Sequence, residues 1–287
     1  MARVTEVVAH RGSSADVPEH TLAAYVRAVD DGADALECDV RLTADGHLVC
    51  VHDRRIDRTS DGSGVVSVMT LEDLHRHDFG RWRDAGTSRP TSSGPDLSDP
   101  VVIDEDLSRV LTLERLLELV VDSGREIGLA IETKHPTRYG ALVEERTIEL
   151  LRRFGLARPR SERDSRIRIM SFSQLSMRRV RQLAPGLPTV FLMDRVPLRF
   201  RDGSLPFGSA IAGPSIDIVR AHPHYVERVH RSGRAMHVWT VDDPSDVELC
   251  ARLGVEAIIT NRPGPALAQL GRASSVASVP DPARAHV

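Results

Sequence analysis

The chain has 287 residues, 41% of them hydrophobic, and a formal net charge of −3. That is enough apolar material for one large core or two small ones. The balanced charge and an aromatic content of 4% exclude a basic nucleic-acid surface and a base-stacking platform. Cys38, Cys50 and Cys250 form an odd set without C-x-x-C spacing, so reduced core thiols are expected, and neither a disulfide framework nor a zinc site. No stretch approaches the roughly 20 apolar residues of a membrane span. The N-terminus has no signal-peptide apolar run. A cytoplasmic protein with no membrane anchor is expected by default.

Apolar runs alternate with helical patterns along nearly the whole chain. Residues 4–9 read as a strand and 18–31 as a helix stopped by Gly32. Strands at 35–40 and 48–52 are joined by residues 43–46, whose Asp45-Gly46 pair signals a turn. That connection is too short for a crossover helix. Residues 54–112 then break the rhythm: they are polar, carry Gly62 and Gly64, and include a Ser/Gly/Pro-rich stretch at 91–100. A lid, an inserted subdomain or a surface insertion is expected there.

Alternation resumes with helix 112–122, strand 127–132, helix 139–154, strand 167–171, helix 173–184 and strand 188–193. A weaker strand falls within 209–219. Helix 223–232, strand 235–241, helix 244–253 and strand 257–260 follow. This pattern predicts an α/β chain folded as a (β/α)8 TIM-like barrel with an insertion after the third strand. A doubly wound sheet is the rival, but no G-x-G-x-x-G follows the first strand. Residues 1–271 are expected to form one domain, with 54–112 inserted, and residues 272–287 a disordered tail.

Parallel α/β folds carry their chemistry at the carboxyl ends of strands. Four polar clusters follow strand-like runs: His10-Arg11, Glu37 and Asp39, His52-Asp53, and Glu132 and Lys134. Glu37 and Asp39 are two apart and share a face, as do Glu132 and Lys134. Glu37, Asp39 and Glu132 make a hard oxygen set suited to Mg²⁺ or Ca²⁺, with Mn²⁺ as an alternative. His10 and His52 suit proton transfer near neutral pH. Arg11 offers a fork for phosphate, and Lys134, the chain's sole lysine, a compact ammonium. A metal and two cations around one centre would stabilise the transition state of a phosphodiester displacement. Neither G-x-S-x-G nor H-E-x-x-H is present.

The motifs HRG at 10–12, PEHT at 18–21, GAD-x-LECDVRLTADG at 32–46, VHD-x-x-x-x-RTSDGSG at 51–64, IETK at 131–134, SF at 171–172, WTVDD at 239–243 and GVEAIITNRP at 254–263 occur in order. In this combination the chain resembles the glycerophosphodiester phosphodiesterases over about residues 5–265. The resemblance implies a TIM-like barrel and metal-dependent cleavage of a small glycerophosphodiester to glycerol 3-phosphate and an alcohol. It makes His10 and His52 the acid–base pair, Glu37, Asp39 and Glu132 the metal ligands, and Arg11 and Lys134 the phosphate contacts. The segment after His52 would cup the glycerol end. Trp239 would either wall the substrate or belong to the barrel core. The family commonly has Asn where His20 and Asp242 stand, so hydrogen bonding around the site is expected to differ. Two other activities remain open: a lysophospholipase D on the same chemistry, and a noncatalytic phosphodiester-binding barrel.

Overall fold

The computed structural model describes residues 4–80 and 107–272. The stretch 91–100 and the tail from 273 on lie outside them. Nine strands form among the described residues: β1 (Glu6–His10), β2 (Ala35–Leu42), β3 (Leu48–Cys50), β4 (Gly128–Thr133), β5 (Ile167–Ser171), β6 (Thr189–Met193), β7 (Ile211–Pro214), β8 (Ala235–Val238) and β9 (Ala257–Thr260). All but β3 run parallel. β1 pairs with both β2 and β9, which closes eight staves into a barrel.

The helices are α1 (Leu22–Asp30), α2 (Leu71–His75), α3 (Leu113–Asp122), α4 (Leu142–Arg153), α5 (Gln174–Leu183), α6 (Ile216–Ala221), α7 (His224–Arg231), α8 (Pro244–Leu253) and α9 (Pro263–Gln269). Polar caps set several starts. Thr21, Thr112 and Ser173 each accept a hydrogen bond from a first-turn backbone N–H. Side-chain alternation decides what each stave faces. On β2, Leu36, Cys38 and Val40 pack outward with Leu113, Leu116 and Leu117 of α3. Ala35 faces in, with Val8, Ala130, Met170, Val190 and Ile259. Truncating the fully buried Leu116 to Ala would cost about 2–5 kcal/mol.

The strand that looked weakest in the sequence is a stave. β7 is four residues long, and the β6–β7 connection carries two short 3₁₀ turns and no α-helix. The expected periodicity is therefore missing there. The third strand in chain order is not a stave. β3 returns antiparallel along β2, with Val40 opposite Cys50 and Leu42 opposite Leu48, as a five-residue connection requires. The inserted segment therefore lies between the second and third staves. Its described part builds a small core of its own from Ile56, Val66, Leu74, Phe79 and Val110 against Val49 and Val51. All three cysteines are buried and free.

Candidate active site

The inward faces of β1, β2 and β4 change from apolar to charged at the carboxyl end. Val8 is followed two residues on by His10, Ala35 by Glu37 and Asp39, and Ala130 by Glu132. Strand register then levels them: His10 lies opposite Glu37, and Asp39 opposite Glu132. Carboxylate oxygens of Glu37, Asp39 and Glu132 come within 4.8 Å of one another, and all three residues are buried.

Two cations hold this cluster. Lys134 Nζ lies 2.8 Å from Glu132 Oε1 and 3.1 Å from Asp39 Oδ1. Arg11 Nε lies 3.0 Å from Asp39 Oδ2, as an ion pair without an aligned hydrogen bond. Arg11 has a left-handed φ of 57°, and its backbone N–H donates to Glu37 Oε2 at 3.1 Å. The glycine of the HRG motif has a steric reason: a Cβ on Gly12 would lie 2.5 Å from the Ala24 carbonyl carbon.

Three carboxylates against two cations leave the cluster short of positive charge. Burial and the neighbouring Asp39 push Glu132 up to about 8. Burial and Asp39 likewise raise Glu37 well above the carboxylate range. Burial would raise Asp39 too, but Lys134, the His20 hydrogen bond and Arg11 reverse that and hold it well below its usual value. One full negative charge thus sits on Asp39, beside two groups driven toward their protonated forms. A divalent cation would counter both displacements by favouring the ionised carboxylates. The residues therefore fit a hard cation with Glu37, Asp39 and Glu132 as its oxygen donors.

Each histidine is held from behind. His10 Nδ1 lies 2.7 Å from Asn261 Oδ1, and Asn261 Nδ2 donates to Asp242 Oδ2 at 2.5 Å. Because Asp242 can only accept, the amide is oriented with its oxygen toward His10. Burial, followed by the charge of Arg11, lowers His10 to about 4. It is then neutral at pH 7, donates from Nδ1, and leaves Nε2 as a base 4.0 Å from Glu37 Oε2. His52 reaches the site on the antiparallel return: Val51 N–H donates to the Asp39 carbonyl at 3.0 Å. Its Nδ1 lies 2.7 Å from Asp53 Oδ1. Asp53 is bound by Arg58, Arg58 by Glu19, and Glu19 by Arg11, so a chain of charges links the two sides.

A family model described as "Glycerophosphoryl diester phosphodiesterase family" matches residues 10–265. The chain belongs to the glycerophosphoryl diester phosphodiesterase family. It is 47% identical over 270 residues to a Mycobacterium tuberculosis protein named "Probable glycerophosphodiester phosphodiesterase 1", covering 93% of this chain and 94% of that one. It is 33% identical over 258 residues to the Bacillus subtilis "Glycerophosphodiester phosphodiesterase", covering 89% and 83%. Among solved structures it resembles an Oleispira antarctica phosphodiesterase in complex with the product sn-glycerol-3-phosphate. That likeness has a TM-score of 0.75 at 22% identity, over 93% of this chain and 97% of the other.

The two departures from the family's common asparagines both fall on hydrogen bonds to the site. His20 is buried, with Nε2 2.9 Å from Asp39 Oδ2 and Nδ1 2.8 Å from the Tyr25 hydroxyl. Burial lowers its pKa. The Tyr25 hydroxyl in turn donates to the Glu37 carbonyl at 3.0 Å. Asp242 accepts from Thr260 Oγ1 and from the Asn261 backbone and amide. Sequence reasoning left His20, Asn261, Glu19 and Arg58 without roles. Asn261, the chain's sole asparagine, carried the only compositional signal among them. Trp239 takes the barrel-core place expected as one of its two alternatives. It packs against the barrel-interior cluster and stands edge-on to the half-exposed Phe172, with ring centroids 5.5 Å apart.

No described helix is long and apolar enough to cross a membrane.

Proposed function

We propose that this chain hydrolyses glycerophosphodiesters to glycerol 3-phosphate and an alcohol, using a divalent cation held by Glu37, Asp39 and Glu132. Residues 1–271 are read as one phosphodiesterase domain. The observation that carries this reading is the buried carboxylate triad set between His10 and Lys134 at the carboxyl end of the barrel. Its family membership and the names of its relatives support the substrate class. The bound cation would polarise the phosphoryl oxygens.

The chain's own residues divide the remaining work. His10, neutral and with Nε2 unprotonated, accepts the proton of the attacking oxygen. His52 backs onto a carboxylate where His10 backs onto a neutral amide, so His52 is the better proton carrier and protonates the leaving alkoxide. Arg11 and Lys134, both on Asp39, lie where they can transfer part of their hydrogen bonding to phosphate oxygens. His20 and Asn261 position Asp39 and His10.

The test uses glycerophosphoglycerol hydrolysis, read as released glycerol 3-phosphate. Chelation should abolish turnover, and added Mg²⁺, Ca²⁺ or Mn²⁺ should restore it. His10→Ala and His52→Ala should each lower kcat by about 10²–10⁴ without loss of fold by circular dichroism. Near-wild-type turnover in either variant would remove that histidine from the reaction. A diester whose alcohol is a good leaving group should rescue His52→Ala but not His10→Ala.

A further inference from the structure

A cavity of about 450 Å³ opens beside the triad, between the inserted segment and the loop after β4. Lys134 forms its inner end, and Arg41, Arg54 and Arg138 stand along it. Its other walls include Val65, Val68 and Val143. The two sides are fastened together, because the Tyr139 hydroxyl donates to the Ser67 carbonyl at 2.6 Å.

These arginines differ from their neighbours. Arg55 is ion-paired with Asp57, and Arg58 with Asp53 and Glu19. Among the described residues, Arg41, Arg54 and Arg138 form no ion pair with a carboxylate. Asp53, the nearest acid in sequence to Arg54, already receives Arg58 and His52. Arg41 is half-buried, and its Nε and Nη2 donate to the His52 carbonyl at 3.1 and 2.7 Å, which fixes the fork and leaves its remaining N–H groups for another acceptor. Burial lowers the Arg41 pKa; Asp39, Glu132 and Asp53 act on it as opposite charges without pairing with it, and Arg54 acts on it as a like charge. Three guanidinium groups in one cleft, none closed by an ion pair among the described residues, are an anion site waiting for a ligand.

The inner end decides which ligand. Lys134 bridges Asp39 and Glu132, so whatever fills the cleft is continuous with the reacting phosphate. Building on the phosphodiesterase reading above, we infer that this groove receives the leaving alcohol and selects one that carries a phosphate of its own. The preferred substrates are then glycerophosphodiesters with a second, terminal phosphate. The valine wall accommodates the carbon skeleton between the two phosphates. Choline and ethanolamine esters, which bring a cation to the same cleft, are disfavoured.

The experiment compares glycerophosphoglycerol with its terminal phosphate ester, in wild type and in the Arg54→Gln/Arg138→Gln double variant. Both replaced side chains are exposed and neither touches the triad. Wild type should favour the phosphorylated substrate in kcat/KM on the order of tenfold, and added salt should shrink the preference. The double variant should lose the preference and hydrolyse glycerophosphoglycerol within about twofold of wild type. Equal kcat/KM for the two substrates in wild type overturns the inference, as does a preference that survives the double substitution. Titration calorimetry with glycerol 1,3-bisphosphate, against glycerol 3-phosphate, reads the groove without turnover. Tighter bisphosphate binding by wild type than by the variant supports the groove even if neither diester is cleaved, an outcome that would sink only the catalytic reading. Equal bisphosphate binding by both proteins sinks the groove.

Discussion

At the amino-terminal end of the barrel Glu6, Arg168 and His237 close the floor as a matched set, whereas at the carboxyl end three carboxylates crowd together with two cations. Arg168 makes a two-pronged ion pair with Glu6, one arm at 2.8 Å, and reaches His237 Nε2 at 3.5 Å. Gly128 makes the room: a Cβ there would lie 2.9 Å from the Ala35 Cβ and 3.2 Å from Arg168 Nη2. The floor thus balances its charge within itself. The top leaves its charge unbalanced and displaces Glu37 and Glu132 from their ordinary titration. Buried charge that is matched contributes to structure, and buried charge that is mismatched is available to a ligand.

The sharpest way to break this contrast is to remove one charge at each end. Glu37→Gln should lower turnover by at least about 10³ while the cation-free protein keeps its Tm or gains a few degrees, because a carboxylate that burial and Asp39 disfavour is gone. Arg168→Met should do the reverse. It should cost about 2 kcal/mol of stability, less than a fully buried pair because Glu6 keeps 28% of its side-chain surface, and leave kcat per folded molecule near wild type. Thermal denaturation paired with the phosphodiesterase assay reads both. An Arg168→Met enzyme that is stable but inactive would erase the distinction between the two ends.

The pH dependence of stability should also run in opposite directions. Glu132 is raised from its ordinary value of 4.5 to about 8, by burial and then Asp39. Between those values the folded state holds a proton that the unfolded state has lost. Its contribution is therefore full below pH 4.5 and disappears as pH rises through about 8. His237 is held well below its ordinary value of 6.5, by burial and then Arg168. Its contribution is present above pH 6.5 and is lost as pH falls below it. In chelator, Glu132→Gln should flatten the alkaline side of a Tm–pH curve, and His237→Phe the acidic side. If the two variants flatten the same side, the assignment of the slopes is wrong.

The smallest effect tests the hydrogen bonds behind the site. His20→Ala removes the donor to Asp39 and should weaken cation binding or turnover by about 10–100-fold. His20→Asn should recover most of it. If alanine and asparagine behave alike, His20 serves packing around Tyr25 and not Asp39.

Much of this was legible before any coordinates. The eight-stave count needed one exchange. The sequence pattern counted residues 48–52 among its eight strands and held 209–219 as a weaker ninth, because β7 is short and follows 3₁₀ turns in place of a helix. The seven candidate residues all fall at the carboxyl end of the barrel. Six meet directly around the triad, and His52 stands within electrostatic reach of Asp39. What placed His52 there was not the end of a parallel stave, as its position after an apolar run suggested, but the antiparallel return of β3.

Local order in the chain determined the repeating strand–helix units, the shared face of Glu37 and Asp39, and the pairing of Glu132 with Lys134, because side-chain direction follows from a period of two and needs no partner. Tertiary structure alone decided the rest. Strand register set His10 against Glu37 and Asp39 against Glu132. Contacts 251 residues apart put Asn261 behind His10, and 19 residues apart put His20 on Asp39. Arg41, Arg54 and Arg138 became a cleft only when the inserted segment folded against the loop after β4. Register and closure are properties of pairs of segments, and no spacing within one segment encodes which other segment will lie beside it.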